Sequence, residues 1–123
     1  MADKNFTPAD FRAELVRIMP GYKWTVHKSG TDSWLKATGI QTSGFNRLST
    51  LVVIRNAFIY AAPFYEVKSA GFGKRSPWLY SYTDSTLARA LRGLQDYYEN
   101  QANLYRSHAA SLQHGRKAEG GDE

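Results

Sequence analysis

The spacing of apolar residues along the chain changes period twice. Phe11, Leu15 and Ile18 fall at i, i+4 and i+7, which makes one stripe on a helix. Thr7 is placed to cap that helix, Pro8 suits its first position, and Asp10 completes a capping box at the positive end of the dipole. Pro20 and Gly21 end it. From Tyr22 the period drops to two: Tyr22, Trp24 and Val26 alternate with Lys23, Thr25 and His27, as in a half-buried strand. Further strands are expected at 34–41 and 48–55. Hairpins through Ser29-Gly30-Thr31-Asp32 and Thr42-Ser43-Gly44-Phe45-Asn46 precede them. Pro63 limits pairing, so 56–64 reads as an edge or loop. A strand at 65–70, a loop at 71–77 and a last strand with Trp78, Tyr80 and Tyr82 alternating bring the sheet to four or five antiparallel strands.

The helical period then returns. Asp84 or Ser85 is the expected cap, and Leu87, Leu91, Leu94, Tyr98, Gln101, Tyr105, His108 and Leu112 repeat at alternating spacings of four and three, a heptad-like seam. The pattern defines an α+β fold: an N-terminal helix, an antiparallel sheet and a long C-terminal helix. A helix over 86–113 is roughly 42 Å long at 1.5 Å per residue, longer than a sheet of about 6-residue strands can cover. Leu87, Leu91 and Leu94 are expected on the sheet. The outer seam, Tyr98, Gln101, Tyr105, His108 and Leu112, is expected to form a homodimer interface. Residues 1–114 read as one domain, and 115–123, rich in glycine and charge, as a flexible tail.

Composition changes this picture only through its charge. A length of 123 residues suits one domain, and 42% hydrophobic content argues against whole-chain disorder. The absence of cysteine excludes disulfides, thiolate metal sites and a cysteine nucleophile. No apolar stretch approaches the roughly 20 residues that span a bilayer, and the start of the chain has no apolar signal core, so a cytoplasmic protein without a membrane partner is expected. The net charge of +5 is unevenly placed. Lys23, Lys28, Lys36, Arg47, Arg55, Lys68, Lys74, Arg75, Arg89 and Arg92 face only Asp32, Glu66 and Asp84, while the remainder of the chain is neutral or acidic. A localised basic field attracts an anionic partner.

Basic residues interleaved with aromatics suit nucleic acid, because cations neutralise phosphates while rings stack on exposed bases. Lys36, Arg47, Lys74 and Arg75 are the expected phosphate contacts, and Trp34, Phe45, Phe72 and Trp78 the expected stacking groups, on a sheet face and its loops. The rival expectation is a small interaction module, an inhibitor or adaptor of the kind mobile elements and phages encode, docking on an acidic protein through the same arginines and aromatics. Gly71-Phe72-Gly73 resembles part of the first ribonucleoprotein motif of RNA-recognition domains, but Ala70 stands where that motif has a basic residue. The element order resembles that of double-stranded RNA-binding domains without their lysine cluster at the second helix. Neither resemblance assigns residues. Glu66-Val67-Lys68, with Asp32 and Glu14, resembles the set of PD-(D/E)xK nucleases, in which two carboxylates hold Mg²⁺ and the lysine orients water. Asp32 lacks the preceding proline, so the nuclease stands as a remote alternative to a non-catalytic protein. His27, His108 and His114 have no metal-ligand spacing, and no nucleotide or cofactor fingerprint occurs, so no cofactor is expected.

Overall fold

The computed structural model of the chain describes residues 6–27, 34–57, 62–71, 73 and 75–117. Helix α1 (Pro8–Ile18) opens with the expected capping box: the Asp10 amide donates to Thr7 Oγ1 at 3.1 Å, and the Thr7 amide donates to Asp10 Oδ2 at 3.0 Å. Such a cap is worth about 1 kcal/mol. Its stripe buries Phe11 and Leu15 completely. The C-terminal end is tied to the sheet, since the Trp24 indole N–H donates to the Met19 carbonyl at 3.1 Å.

Five strands follow: β1 (Lys23–Val26), β2 (Trp34–Ser43), β3 (Asn46–Asn56), β4 (Phe64–Ala70) and β5 (Trp78–Asp84). They pair in chain order, each antiparallel to the last, so the sheet is a meander. The β2–β3 hairpin turns on Gly44 and Phe45. Gly44 has φ of +61° while Phe45 stays at negative φ, which fits the tight turn that requires glycine first. The link at 28–33 lies outside the described residues, as do 58–61 of the segment expected as edge or loop.

Helix α2 (Leu87–Lys117) closes the fold. Its cap is Thr86, not Asp84 or Ser85: Thr86 Oγ1 accepts from the Arg89 amide at 3.2 Å. Strand β5 extends through Asp84, which delays the helix and leaves the Asp84 carboxylate to accept from the Ser85 amide at 2.6 Å and pair with Arg89 at 3.4 Å. At its other end α2 continues through Gly115 to Lys117, into the segment expected as tail.

Both helices pack on one face of the sheet. Trp24, Leu35, Ala37, Leu51, Val53, Tyr65 and Val67 point to that face and meet Phe11 and Leu15 of α1 and Leu87, Ala90, Leu91 and Leu94 of α2. Each fully buried leucine or phenylalanine stabilises the fold by about 1.5–3 kcal/mol. The core also holds a charge. Arg55 is 3% exposed; its Nε–H donates to the Tyr65 hydroxyl at 3.1 Å, and that hydroxyl donates to Glu14 Oε1 at 2.9 Å. The guanidinium lies 3.9 Å from the centroid of Phe6. One cation of the basic field is thus interior, held by the Tyr65 hydroxyl and an aromatic ring, with the Glu14 carboxylate accepting from that hydroxyl. Among the described residues no buried side-chain nitrogen or oxygen lacks a partner. No helix among them is long and apolar enough to cross a membrane.

Candidate nucleic-acid interface

The opposite face of the sheet carries neither helix. By strand alternation it presents Lys36, Thr38 and Ile40 from β2, Thr50, Val52 and Ile54 from β3, Glu66 and Lys68 from β4, and Lys23 and Thr25 from β1. Strict alternation would send Arg47 and Trp78 to the helix-covered side, with Ser49 and Tyr80. Two bulges prevent that. Gln41 pairs with Ser49 while Thr42 pairs with Arg47, so Leu48 is an extra residue in β3 and Arg47 joins the face of Thr42 and Lys36. Ser69 pairs with Tyr80 while Ala70 pairs with Trp78, so Leu79 is extra in β5 and Trp78 joins the face of Lys68.

The contact between the last two confirms the assignment: Lys68 Nζ lies 4.8 Å from the centroid of the Trp78 ring, a cation–π distance. Trp78 remains 50% exposed, so its ring offers surface beside the ammonium. The last strand therefore does not alternate as expected. Tyr80 stacks on Tyr97 of α2 at 3.6 Å and 3°, on the covered side, and Trp78 points away from it.

The 71–77 link and the β2–β3 hairpin sit at the same end of the sheet and are joined. Gly73, at φ of +99°, donates its amide to the Arg47 carbonyl at 2.8 Å. The positive φ suits glycine at this contact. Arg75 is exposed in this link, and Phe45 is fully exposed on the hairpin tip. Phe72 and Lys74, expected in the same cluster, lie outside the described residues. Trp34 is at the far end of the same face, on β2 opposite Asn56. From Trp34 to Thr42 the face runs roughly 26 Å at about 3.3 Å per residue. The expected residues thus form a track along the strands and not one pocket: Trp34 and Lys36 at one end, Arg47, Arg75, Phe45 and Trp78 at the other.

Among the described residues this face sets Lys23, Lys36, Arg47 and Lys68 against Glu66 alone. His27 stands next to Lys36, with Nε2 2.8 Å from Thr38 Oγ1. Residue order marks neither Lys23 nor, outside the nuclease set, Lys68 as a phosphate contact. The alternation of β1 and β4 carried a signal for both, but only cross-strand pairing reveals that they share a face with Lys36. The nuclease set is divided by the sheet: Glu14 bonds to Tyr65 on the covered side, Glu66 and Lys68 are on the open side, and Asp32 lies outside the described residues. No group of three or more histidines and carboxylates that could hold a metal occurs among the described residues.

Along the C-terminal seam, Tyr98 is half-buried with its hydroxyl 2.5 Å from Ser69 Oγ, and Gln101 is half-exposed. Tyr105, His108 and Leu112 are exposed. Tyr98 is thus engaged with its own domain, and the seam leaves the sheet beyond Gln101.

The chain is an α+β protein, a five-stranded antiparallel meander with both helices on one face. Comparison with known protein families, with curated proteins and with solved structures finds no match.

Proposed function

We propose that the protein binds single-stranded nucleic acid non-covalently along the helix-free face of its sheet. One observation carries the reading: the bulges at Leu48 and Leu79 turn Arg47 and Trp78 onto the face that already holds Lys36 and Lys68. A row of cations with an exposed indole beside one of them matches a strand whose phosphates and bases are both accessible. A flat sheet face has no element to insert into a duplex groove, so a single strand is the expected better ligand. Lys36, Arg47, Lys68 and Arg75 contact phosphates, and Trp78, with Phe45 at the hairpin tip, receives bases.

Labelled single-stranded and duplex DNA and RNA, titrated across a salt series with and without Mg²⁺, provide the test. Saturable binding with a steep salt slope is expected. The pair Lys36→Ala and Lys68→Ala should flatten the slope by roughly 1.4, at about 0.7 per phosphate contact on a single strand. Trp78→Ala should cost about 1–3 kcal/mol of affinity. If binding occurs and both variants leave affinity and slope untouched, the face is wrongly assigned. Absence of binding at low salt would favour the second reading, docking on an acidic protein, for which the half-buried Ile40 and Ile54 supply apolar surface among the cations of the face.

A further inference from the structure

On the nucleic-acid reading of the open face, we infer that His27 is a further phosphate contact at its Trp34 end and takes up a proton together with the ligand, so that binding tightens from about pH 8 to about pH 5.5. His27 continues the register of β1. Its amide donates to the Lys36 carbonyl at 2.9 Å, so the two residues stand opposite each other and the His27 side chain follows Lys23 and Thr25 onto the open face. The residue is exposed, and its Nε2 lies 2.8 Å from Thr38 Oγ1. Trp34 precedes Lys36 by two positions on the same strand. Both ends of the track therefore combine an indole with cations: Trp78 with Lys68 and Arg47 at one, Trp34 with Lys36 and His27 at the other. Lysine and arginine keep their charge between about pH 5 and 8, whereas histidine changes its own there. Only the Trp34 end carries that switch.

The charges around the ring suit an anion. Lys36 faces it from β2, and Lys23 lies on the same face of its own strand. On α1, Arg12 donates to the Trp24 carbonyl at 3.0 Å. Glu66 is in the same cross-strand row but beyond Lys36 and Ile54, about 14 Å away at roughly 4.8 Å per strand, farther than the Debye length of about 8 Å at physiological salt. Lys28 and Asp32 lie outside the described residues. An imidazolium and the Lys36 ammonium repel each other, and a phosphate between them relieves the repulsion. Proton and ligand thus favour each other.

The proton also rearranges the donors. In the neutral ring Nε2 either accepts from the Thr38 hydroxyl or donates to it, according to tautomer. In the imidazolium both nitrogens donate, so Thr38 Oγ1 accepts from Nε2–H and its own O–H is released. Nδ1–H and the Thr38 O–H then join the Lys36 ammonium as donors to one phosphate, the first a charge-assisted bond.

Oligothymidylate, whose bases keep their charge in this range, is titrated across a salt series at about pH 8 and about pH 5.5. The wild type should bind about tenfold tighter at the lower pH, with a salt slope steeper by about 0.7, the increment of one more phosphate contact on a single strand. His27→Gln should match it at the higher pH and lose both gains at the lower. His27→Lys, a fixed cation, should bind at the higher pH as the wild type does at the lower. The position is exposed, so the fold is not at stake. Calorimetry at about pH 6.5 in buffers of different ionisation enthalpy should show proton uptake on binding for the wild type and none for His27→Gln. A gain that survives in His27→Gln puts the proton on another group and overturns the inference, as does binding without a pH step. Either result leaves the nucleic-acid reading standing, whereas absence of binding at both pH values in low salt overturns the two together.

Discussion

Gly39 lies under the indole of Trp24, where a Cβ would stand 2.8 Å from the ring. The indole cannot retreat freely, because it is buried and its N–H is bonded to the Met19 carbonyl. Gly39→Ala is therefore expected to destabilise the chain by about 1–3 kcal/mol in urea unfolding, the usual cost of overpacking. Tyr65 makes a second prediction at this scale. Burial pushes its phenol up to about 12; the hydrogen bond from Arg55 opposes the shift and Glu14 adds to it. The unfolded phenol ionises near 10, so the native state is favoured below that pH and loses this stability as pH rises towards 12. Between about pH 10 and 12 the wild type should lose roughly 2–3 kcal/mol more than Tyr65→Phe, which has no proton to lose. Parallel stability curves for the two chains would contradict the buried phenol. Arg55 was legible as a cation but not as an interior one, since its burial depends on Tyr65 and Glu14, ten positions later in the chain and far earlier in it.

Among the elements, the helices and strands were the most legible, because caps and periods are local signals. Thr7, Pro8 and Asp10 sit together in sequence and act together in space. The cap of α2 was displaced because Asp84 competes for two roles: it can cap, yet it is also the last residue of β5, opposite Tyr65. Thr86→Ala should consequently lower stability by about 1 kcal/mol in thermal or urea unfolding. An effect near zero would mean that the Arg89 amide finds another acceptor. The bulges were not legible. Leu48 and Leu79 look like ordinary strand residues, and an extra residue is defined only by what the neighbouring strand offers opposite it.

At the scale of the whole molecule, the two helices share one side of the sheet and leave the other to Lys36, Arg47, Lys68 and Trp78. The proposed nucleic-acid surface and the C-terminal seam expected as a homodimer interface are then physically separate. Substitutions at distant sites without shared partners usually add. Lys68→Ala and Leu112→Glu should act independently: the first weakens an oligonucleotide too short to bridge two protomers, the second abolishes association, and the double variant shows both effects without interaction. Fluorescence anisotropy and sedimentation on the four chains measure this. A strong coupling between them would tie binding to the dimer. The charge asymmetry that suggests an anionic partner was visible in the residue order, but its usable part was not. Arg55 turns inward, Arg89 pairs with Asp84, and Arg92 is on the helical side.

Residue order alone determined the helix, antiparallel sheet and long helix, because capping, turn formation and side-chain period act over a few neighbouring positions. It also determined the excess of basic charge between Tyr22 and Arg92. The tertiary structure decided which face each side chain occupies. One extra residue in a strand reverses alternation beyond it, and only hydrogen bonding to the adjacent strand establishes where that residue lies. Arg47 and Trp78 reached the open face that way.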